Sequence, residues 1–338
     1  VEREVVEVVE ARKGFEKPSI ELRFHPLIGE WIAVAAHREK RPWRPSYCPF
    51  CPGRPETGVG WKTLALPNSY PVLAEDAPQP SHHPLVRSLK ARGFAEVLVE
   101  SPDHHAEDFC DLSLEQVVEA LKLYREETKR LSEYRFVRYI YIFRNKGAEA
   151  GVSLVHPHSQ LYALPVIPPR VAREIRRLRL YRAKRGSCLL CDMVKAEDEL
   201  GVRIVYENGG FIALVPYYAM WPRELHIYPK KHISSLLELS DNALQDLAEA
   251  LRMSTAALNA VVEGSMPYIM AVHQAPAKGD YRDYHFHIEF YPLWREKGLK
   301  KYAAGAEIGG GIFTYDGLPE EHAKELRETL RRSAVHSL

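Results

Sequence analysis

Two stretches of the sequence, Tyr139-Ile-Tyr-Ile-Phe-Arg-Asn and Tyr268-Ile-Met-Ala-Val-His-Gln, are each followed by two histidines that flank a single residue. These pairs are His156-Pro-His158 and His285-Phe-His287, and one offset of 129 residues relates both the tyrosines and the histidines. Aromatic and β-branched residues at this density are typical of strands. The repetition predicts that the chain folds as the same unit twice.

The same features also recur upstream of both histidine pairs, in the same order. Each unit has a Cys-x-x-Cys pair, then Pro-x-x-His, then a serine placed to cap an amphipathic helix. They are Cys48-x-x-Cys51, Pro102-x-x-His105 and Ser113 in the first unit, and Cys188-x-x-Cys191, Pro229-x-x-His232 and Ser240 in the second. The same order of motifs in both units predicts an α+β fold of two similar domains, with antiparallel sheets and flanking helices.

The join between the two units falls near Ile167-Pro-Pro-Arg. We expect an N-terminal arm over residues 1–18, a first domain over 19–168 that carries the reactive histidine, and a second domain over 169–338. A basic helix, Val171 to Arg185, should open the second domain, and a helix from Pro319 to Arg332 should end it. Strands are expected at Trp31–Ala35, Ala95–Glu100, Arg203–Glu207, Phe211–Val215 and His285–Tyr291.

Composition narrows the class of protein. The 338 residues include 46 Lys and Arg against 45 Asp and Glu, so the net charge of +1 excludes a nucleic-acid binder held by bulk charge. A hydrophobic fraction of 46% is typical of a globular chain and excludes general disorder. No apolar run is long enough for a membrane span, and residues 1–16 are charged throughout. We therefore expect a soluble, cytoplasmic protein.

The cysteines and histidines give each unit four potential metal ligands. Two residues between the cysteines let both thiolates reach one ion, and a Cys₂His₂ set suits zinc in a closed structural site. The alternatives are redox-active Cys-x-x-Cys pairs and unligated buried thiols. The expected sets are Cys48, Cys51, His105 and His156 in the first unit, and Cys188, Cys191, His232 and His285 in the second. His104, next to His105, is the alternative ligand in the first set.

The segment from Gly147 to Gln160 is the richest in chemistry. A glycine-containing loop with the hydroxyl of Ser153 can cradle a phosphate. Residues two apart share a face of a strand, so His156, His158 and Gln160 should point the same way. With His156 on the metal, His158 can act as a nucleophile on phosphorus, and the Gln160 amide can hydrogen-bond phosphoryl oxygens. The alternative is a pair of histidines with a core or metal role alone.

A second candidate site is the basic cluster His37-Arg38-Glu-Lys-Arg41-Pro-Trp43. Arginine carries a planar, permanent charge that fits phosphate, so Arg38 and Arg41 are candidates for phosphate capture. A solvated surface loop is the alternative, since short charge runs usually lie in solvent.

These motifs together resemble the galactose-1-phosphate uridylyltransferase family of the histidine-triad superfamily, over about residues 20–315. The motifs are His37-Arg-x-Lys-Arg-Pro-Trp43, Cys48-x-x-Cys51, Ser101-Pro-Asp-His104, Asn145-Lys-Gly, Gly151-x-Ser153, His156-Pro-His158-x-Gln160, Pro229-x-x-His232 and Phe290-Tyr-Pro. The resemblance implies a duplicated histidine-triad fold, a homodimer and ping-pong chemistry. UDP-glucose would give UMP to His158 and release glucose 1-phosphate, and galactose 1-phosphate would then take the UMP to form UDP-galactose.

The resemblance also implies roles for individual residues. His158 would be the nucleophile, with the phosphoryl group held by Gln160 and Ser153 and with Asn145 and Gly151 in the same loop. Arg38 and Arg41 would approach the nucleotide from the partner subunit, and Asn68 would lie near the uridine. Lys301, Tyr302 and Glu307 would face the sugar, with Glu307 as the main acceptor for its hydroxyls. Ala306 stands where many members have tyrosine, which predicts relaxed hexose selectivity.

Two questions stay open from the sequence. Some members bind iron in the second half through a glutamate and three histidines that match Glu174, His273, His285 and His287, and this set competes with the cysteine set for His285. We favour the cysteine set because thiolates bind zinc tightly. Function also has alternatives: a nucleotide-sugar phosphorylase or adenylyltransferase of the same superfamily, or a non-catalytic nucleotide-binding zinc protein. The presence of both His158 and Gln160 argues against a non-catalytic protein.

Overall fold

The structure is a computed structural model that describes residues 20–40, 47–152 and 154–335. The predicted arm over residues 1–18 and two expected substrate-binding residues, Arg41 and Ser153, lie outside the described residues. Among the described helices, none has both the length and the apolar composition needed to cross a bilayer.

Strands from both halves form the centre of the molecule. They are β1 Ile20–His25, β2 Glu30–Ala35, β3 Leu64–Pro67, β4 Ser88–Lys90, β5 Phe94–Val99, β6 Tyr139–Lys146, β7 His158–Leu164, β8 Ile204–Glu207, β9 Phe211–Leu214, β10 Leu225–Pro229, β11 Tyr268–His273, β12 His287–Pro292, β13 Trp294–Glu296 and β14 Leu299–Lys300. In the part of the chain that the structure describes, nine of them form one antiparallel sheet, ordered β3-β5-β7-β6-β11-β12-β10-β9-β8.

The two repeated stretches meet at the middle of this sheet. Strand β6 pairs antiparallel with β11, from Tyr268 opposite Lys146 to Val272 opposite Ile142. The predicted α+β duplication is confirmed, and the two units join edge to edge in one continuous sheet rather than as separate sheets. Pairing at this edge removes the exposed strand that each half would otherwise present to solvent.

Two long helices cover one face of the sheet. These are α1, Leu114–Ser132, and α4, Asp241–Val261. The hydroxyls of Ser113 and Ser240 each accept a hydrogen bond from a backbone N–H in the first turn, which confirms both predicted caps. Apolar residues at helical spacing, such as Leu121 in α1 and Leu251 in α4, are fully buried in the largest core cluster. Helix α5, Pro319–Val335, packs beside α4.

The opposite face of the sheet is covered unequally in the two halves. Helices α2, Pro169–Arg185, and α3, Leu189–Leu200, pack over the second half. Strand β9 shows the result, because Phe211 faces the α1–α4 core while Ile212 faces α2 and α3. In the first half, β7 alternates between buried and half-buried residues. The first half therefore keeps one partly open face, which carries the predicted reactive histidine.

Candidate active site

The loop between β6 and β7 forms one wall of a cleft of about 310 Å³. Gly147 and Gly151 stand at the two ends of its short turn, with φ of +87° and +76°. A Cβ on Gly147 would lie 2.6 Å from the Cβ of Pro267, so the loop requires glycine there. The cleft is also lined by Asn145, Val152, His156 and His158. The structure thus brings the expected phosphate loop and the expected nucleophile together.

His158 has a defined orientation in this cleft. Its Nδ1 lies 2.7 Å from the carbonyl oxygen of His156, and since a carbonyl can only accept, Nδ1 carries the proton. The lone pair of the neutral ring then belongs to Nε2. The ring of Phe50 lies 5.1 Å from that of His158, between centroids, and helps to fix its position. A histidine held in this tautomer has its nucleophilic nitrogen at the far end of the ring.

Beside His158, four side chains converge in a metal-binding arrangement. Cys51 Sγ lies 3.4 Å from His104 Nδ1, Cys48 Sγ lies 3.7 Å from His156 Nδ1, and the two imidazole Nδ1 atoms are 3.3 Å apart. The Nε2 of His156 donates to the carbonyl of Ser101 at 2.7 Å, which leaves Nδ1 for the ligand position. All four ligand atoms lie within 4.8 Å of one another. This donor set fits a tetrahedral metal ion.

The fourth residue of this group corrects our expectation of His105. The ring of His104 joins the cluster, whereas His105 is exposed and its backbone N–H donates to the Asp103 carboxylate. The Pro-x-x-His match to the second half was misleading because the second half has one more residue between its proline and its histidine. In ligand position, His104 corresponds to His232.

The second half repeats the arrangement. Cys191 Sγ lies 3.4 Å from the Nδ1 atoms of both His232 and His285, and Cys188 Sγ lies 3.6 Å from His285 Nδ1. The Nε2 of His232 again donates to a backbone carbonyl, that of Arg282, at 2.9 Å. The structure therefore places the expected Cys188, Cys191, His232 and His285 together.

A further group of ligand-type side chains lies on the covered face of the second half. His273 Nδ1 is 3.1 Å from Glu174 on α2, and Glu289 lies 3.3 Å from His273 Nε2 and 3.5 Å from His287 Nε2. Our expectation of competition for His285 is corrected, because His285 turns toward the cysteines and Glu289 completes this separate group. Each set can exist without the other. The neighbouring imidazoles hold the pKa of Glu289 well below its ordinary value despite the opposing effect of burial.

The two halves differ at the second histidine of each His-x-His pair, His158 and His287. His287 repeats the geometry of His158, with Nδ1 2.9 Å from the carbonyl of His285. It is nevertheless buried, stacked on His273 at 4.7 Å between ring centroids and enclosed by Tyr228 and Tyr284. Glu289 replaces the neutral amide found at Gln160. Of the two equivalent histidines, His158 is the one that lines a cleft open to a substrate.

A buried ionic network supports β7 from the helix side, and the sequence analysis did not anticipate it. Ser159 donates to Glu100 at 2.6 Å and accepts from Tyr124 at 2.6 Å, while Arg144 pairs with the same carboxylate. Burial disfavours the charged form of Arg144, but the Glu100 carboxylate raises the pKa of Arg144 above its ordinary value. Since Ser159 immediately follows His158, this network fixes the strand that presents the nucleophile.

The remaining predicted residues fall into two places. Arg38 donates to the carbonyl of Tyr70 at 2.9 Å, and the Tyr70 N–H donates to Asn68 at 2.9 Å, so Arg38 and Asn68 lie close together. Both residues lie beside the end of β3 at which Pro67 precedes Asn68. His158 lies near the other end of this strand, because Leu64 pairs with Val99 on β5 and Val99 pairs with His158 on β7.

The expected sugar-facing residues are grouped around Thr314. Lys301 donates to its carbonyl at 2.7 Å, and the Glu307 carboxylate accepts from its hydroxyl at 2.7 Å and from the Ala304 N–H at 3.0 Å. Hydrogen bonds to the carboxylate lower the pKa of Glu307 to about 2; the bond from the Thr314 hydroxyl contributes most, and bonds from backbone N–H groups contribute less. Tyr302 is 67% exposed. Both Glu307 oxygens therefore accept bonds from within their own segment.

The fold and the site together define a class of protein, nucleotidyltransferases built from two copies of one α+β unit, with a histidine in an open cleft and a Cys₂His₂ group in each half. The chain belongs to the galactose-1-phosphate uridylyltransferase family: the model of that family's N-terminal domain matches residues 15–168 and the model of its C-terminal domain matches residues 174–338. The expected family is confirmed, and the chain is an enzyme of the nucleotidyltransferase type.

Individual relatives agree with the family match. The galactose-1-phosphate uridylyltransferase of Thermotoga maritima is 38% identical over 316 residues, covering 92% of this chain and 98% of its own. A solved uridylyltransferase structure superposes with a TM-score of 0.87 at 45% identity, covering 93% of this chain and 99% of its own. An ADP-glucose phosphorylase from Arabidopsis thaliana, solved with bound ADP-glucose, has a TM-score of 0.72 at 28% identity and covers 92% of this chain and 99% of its own.

Proposed function

We propose that this chain transfers UMP from UDP-glucose to galactose 1-phosphate through Nε2 of His158. In the first displacement Nε2 attacks the α-phosphorus, a nitrogen–phosphorus bond forms, and the bond to the β-phosphate oxygen breaks to release glucose 1-phosphate. In the second, a phosphate oxygen of galactose 1-phosphate attacks the same phosphorus, the nitrogen–phosphorus bond breaks, and UDP-galactose leaves. Each displacement forms one bond to the α-phosphorus and breaks one, so no further reactant is needed.

The hydrogen bond from His158 Nδ1 to the His156 carbonyl is the observation that carries this proposal. It fixes the tautomer with a lone pair on Nε2 before the substrate binds. Once Nε2 is bonded to phosphorus the ring is cationic, and the same carbonyl then stabilises the positive charge on the Nδ1 side. Positive charge already develops on the ring in the transition state, so the bond is stronger there than in the free enzyme, and this difference lowers the barrier.

The proposal gives the remaining site residues their roles. Gln160 and Ser153 hold the phosphoryl oxygens, with Asn145 and Gly151 in the loop that approaches them. Arg38, Arg41 and Asn68 bind the nucleotide, and Lys301, Tyr302 and Glu307 lie on the sugar side. What supports this assignment is the common face of β7 that Gln160 shares with His158 and the proximity of Arg38 to Asn68. A homodimer and a division at residues 19–168 and 169–338 belong to the same proposal.

We propose zinc in both Cys₂His₂ groups, with His104 in place of His105. The matching use of Nδ1 atoms, with Nε2 bound to backbone carbonyls in both groups, supports closed structural sites. The group formed by Glu174, His273, His287 and Glu289 has two carboxylates and two imidazoles, a set that suits iron better than the cysteine groups do. In each half, a metal ion in the Cys₂His₂ group would tie the segment before the His-bearing strand, at His156 or His285, to the Cys-x-x-Cys segment.

The test is isotope exchange with UDP-glucose alone. The enzyme should exchange labelled glucose 1-phosphate into UDP-glucose without galactose 1-phosphate, because the covalent half-reaction is reversible. His158→Ala should abolish exchange, whereas His105→Ala, a change at an exposed histidine, should leave it unchanged. Exchange by His158→Ala at the wild-type rate would contradict the proposal. Exchange with ADP-glucose in place of UDP-glucose would identify the phosphorylase or adenylyltransferase alternative, and binding without any exchange would identify a non-catalytic protein.

A further inference from the structure

The phosphate loop contains an acidic residue, Glu149, at the centre of its turn. A carboxylate beside a site for phosphates is unfavourable unless its charge is offset, because like charges repel. Two donors from the second half of the chain contact this residue. Trp294 Nε1 donates to Glu149 Oε1 at 3.1 Å, and Lys300 Nζ donates to the Glu149 carbonyl oxygen at 2.9 Å.

Both donors belong to one structural unit. Trp294 and Lys300 lie directly opposite each other in the β13–β14 hairpin. The base of the hairpin is tied to the sheet, since the Leu293 N–H donates to the Pro267 carbonyl at 2.8 Å. Pro267 is the residue against which Gly147 packs. The hairpin and the loop are therefore held against the same part of the second half.

The loop needs such support because of its own composition. Glycines with positive φ stand at both ends of the turn, and glycine restricts the backbone less than any other residue. The turn's internal bonds are short-range, such as Gly151 N–H to the Ala148 carbonyl at 2.9 Å. They fix the shape of the turn but do not fix its position over the cleft.

We propose that Glu149, Trp294 and Lys300 are positioning residues that hold the phosphate loop at the correct distance from His158; this inference rests on the proposed function. The Lys300 ammonium also brings a positive charge to the turn that carries Glu149. The hairpin leads directly into Lys301, whose N–H donates to the Leu293 carbonyl at 2.7 Å. One rigid hairpin thus sets the phosphate loop and the start of the sugar-side segment in a fixed relation.

Substitutions at the three positions test this coupling. Trp294→Phe removes the N–H donor and keeps an aromatic ring, while Lys300→Met removes the charge and keeps an aliphatic stem. Each should raise the KM and the Kd for UDP-glucose about 3- to 10-fold, with a smaller loss in kcat, since one hydrogen bond of this kind is worth about 1 kcal/mol. Lys297→Met is the matched control: Lys297 lies in the same hairpin and donates to the Glu263 carbonyl at 3.0 Å, and its loss should leave KM unchanged.

Two further variants separate positioning from simple structural support. Glu149→Gln keeps a carbonyl that accepts from Trp294, so its KM should stay near wild type, whereas Glu149→Ala should match Trp294→Phe. The double variant Glu149→Ala with Trp294→Phe should lose no more than either single variant, because both remove one bond.

The inference is wrong if Trp294→Phe and Lys300→Met change KM and Kd no more than Lys297→Met. It is also wrong if all these variants lower Tm equally and leave the KM-to-kcat ratio unchanged. The Kd for UDP-glucose reports on the loop even in an enzyme that forms no covalent adduct. Absence of the UMP adduct on His158 in the wild-type enzyme would therefore overturn the proposed function. The measured Kd values decide the role of the loop separately.

Discussion

Replacement of Gly147 by alanine should destabilise the protein and impair the reaction together. The alanine Cβ would lie 2.6 Å from Pro267 Cβ, and the backbone at φ +87° and ψ +157° is a region that almost only glycine adopts. Backbone strain of about 1–3 kcal/mol and steric overlap of about 1–3 kcal/mol together predict a loss of about 2–6 kcal/mol in the free energy of unfolding. Any relief by movement of the loop displaces the phosphate site.

Gly186→Ala is the matched control for this change. Gly186 ends α2 with φ +77°, and a Cβ there would meet nothing within 4 Å. It should therefore cost only about 1–2 kcal/mol, with full activity. The assay is guanidinium unfolding of the metal-loaded protein, followed by turnover with UDP-glucose and galactose 1-phosphate. A Gly147→Ala enzyme as stable and as active as Gly186→Ala would refute the reasoning.

Three other predictions follow from contacts elsewhere in the molecule. With zinc bound as proposed, Cys188→Ser with Cys191→Ser should remove one zinc per chain in elemental analysis and lower Tm, while a metal held by Glu174, His273, His287 and Glu289 should stay, because the two groups share no ligand; loss of both metals would contradict the independence of the two groups. Arg144→Met should cost about 3–5 kcal/mol in unfolding experiments, because it leaves the Glu100 carboxylate buried and uncompensated, whereas Arg282→Met at an exposed pair should stay within about 0.5 kcal/mol; equal costs would contradict this account of the network. The pKa of Glu307 is lowered to about 2, so its bonds, including one from the Thr314 N–H at 3.2 Å, stabilise residues 304–314 above about pH 4.5 and are lost as pH falls toward 2; the hydrogen-exchange protection factor of the Thr314 N–H, the intrinsic exchange rate at each pH divided by the observed rate, should fall over that range in the wild type, and an unchanged protection factor would argue against the bond.

Local patterns in the sequence were sufficient to predict the duplication and the starts of the two long helices α1 and α4. The repeated strands begin with tyrosine, and Ser113 and Ser240 cap the helices that follow them. Each of these features depends on neighbouring residues, so its pattern is visible without the fold. The choice between His104 and His105 was not predictable in this way. It depends on where the chain turns after β5, and the two halves differ by one residue at this point.

The remaining errors and omissions concern contacts between distant parts of the chain. Glu289 completes the group with Glu174 only because α2 folds across the second half, and no local pattern indicates that contact. The bond from Trp294 to Glu149 spans 145 residues. Glu100 directly follows the apolar run Val97-Leu98-Val99 at the end of β5, and a carboxylate in that position is a signal that sequence reasoning could have used.

The most direct test of the central claim is the chemical identity of the covalent intermediate. The metal-loaded enzyme, labelled with ¹⁵N in its histidines, would be incubated with UDP-glucose, and the nitrogen–phosphorus coupling would be measured by NMR. The structure predicts one UMP per active site, bonded to Nε2 of His158, because Nδ1 is bound to the His156 carbonyl. Phosphorus on Nδ1, on another residue, or on no residue at all would contradict the account.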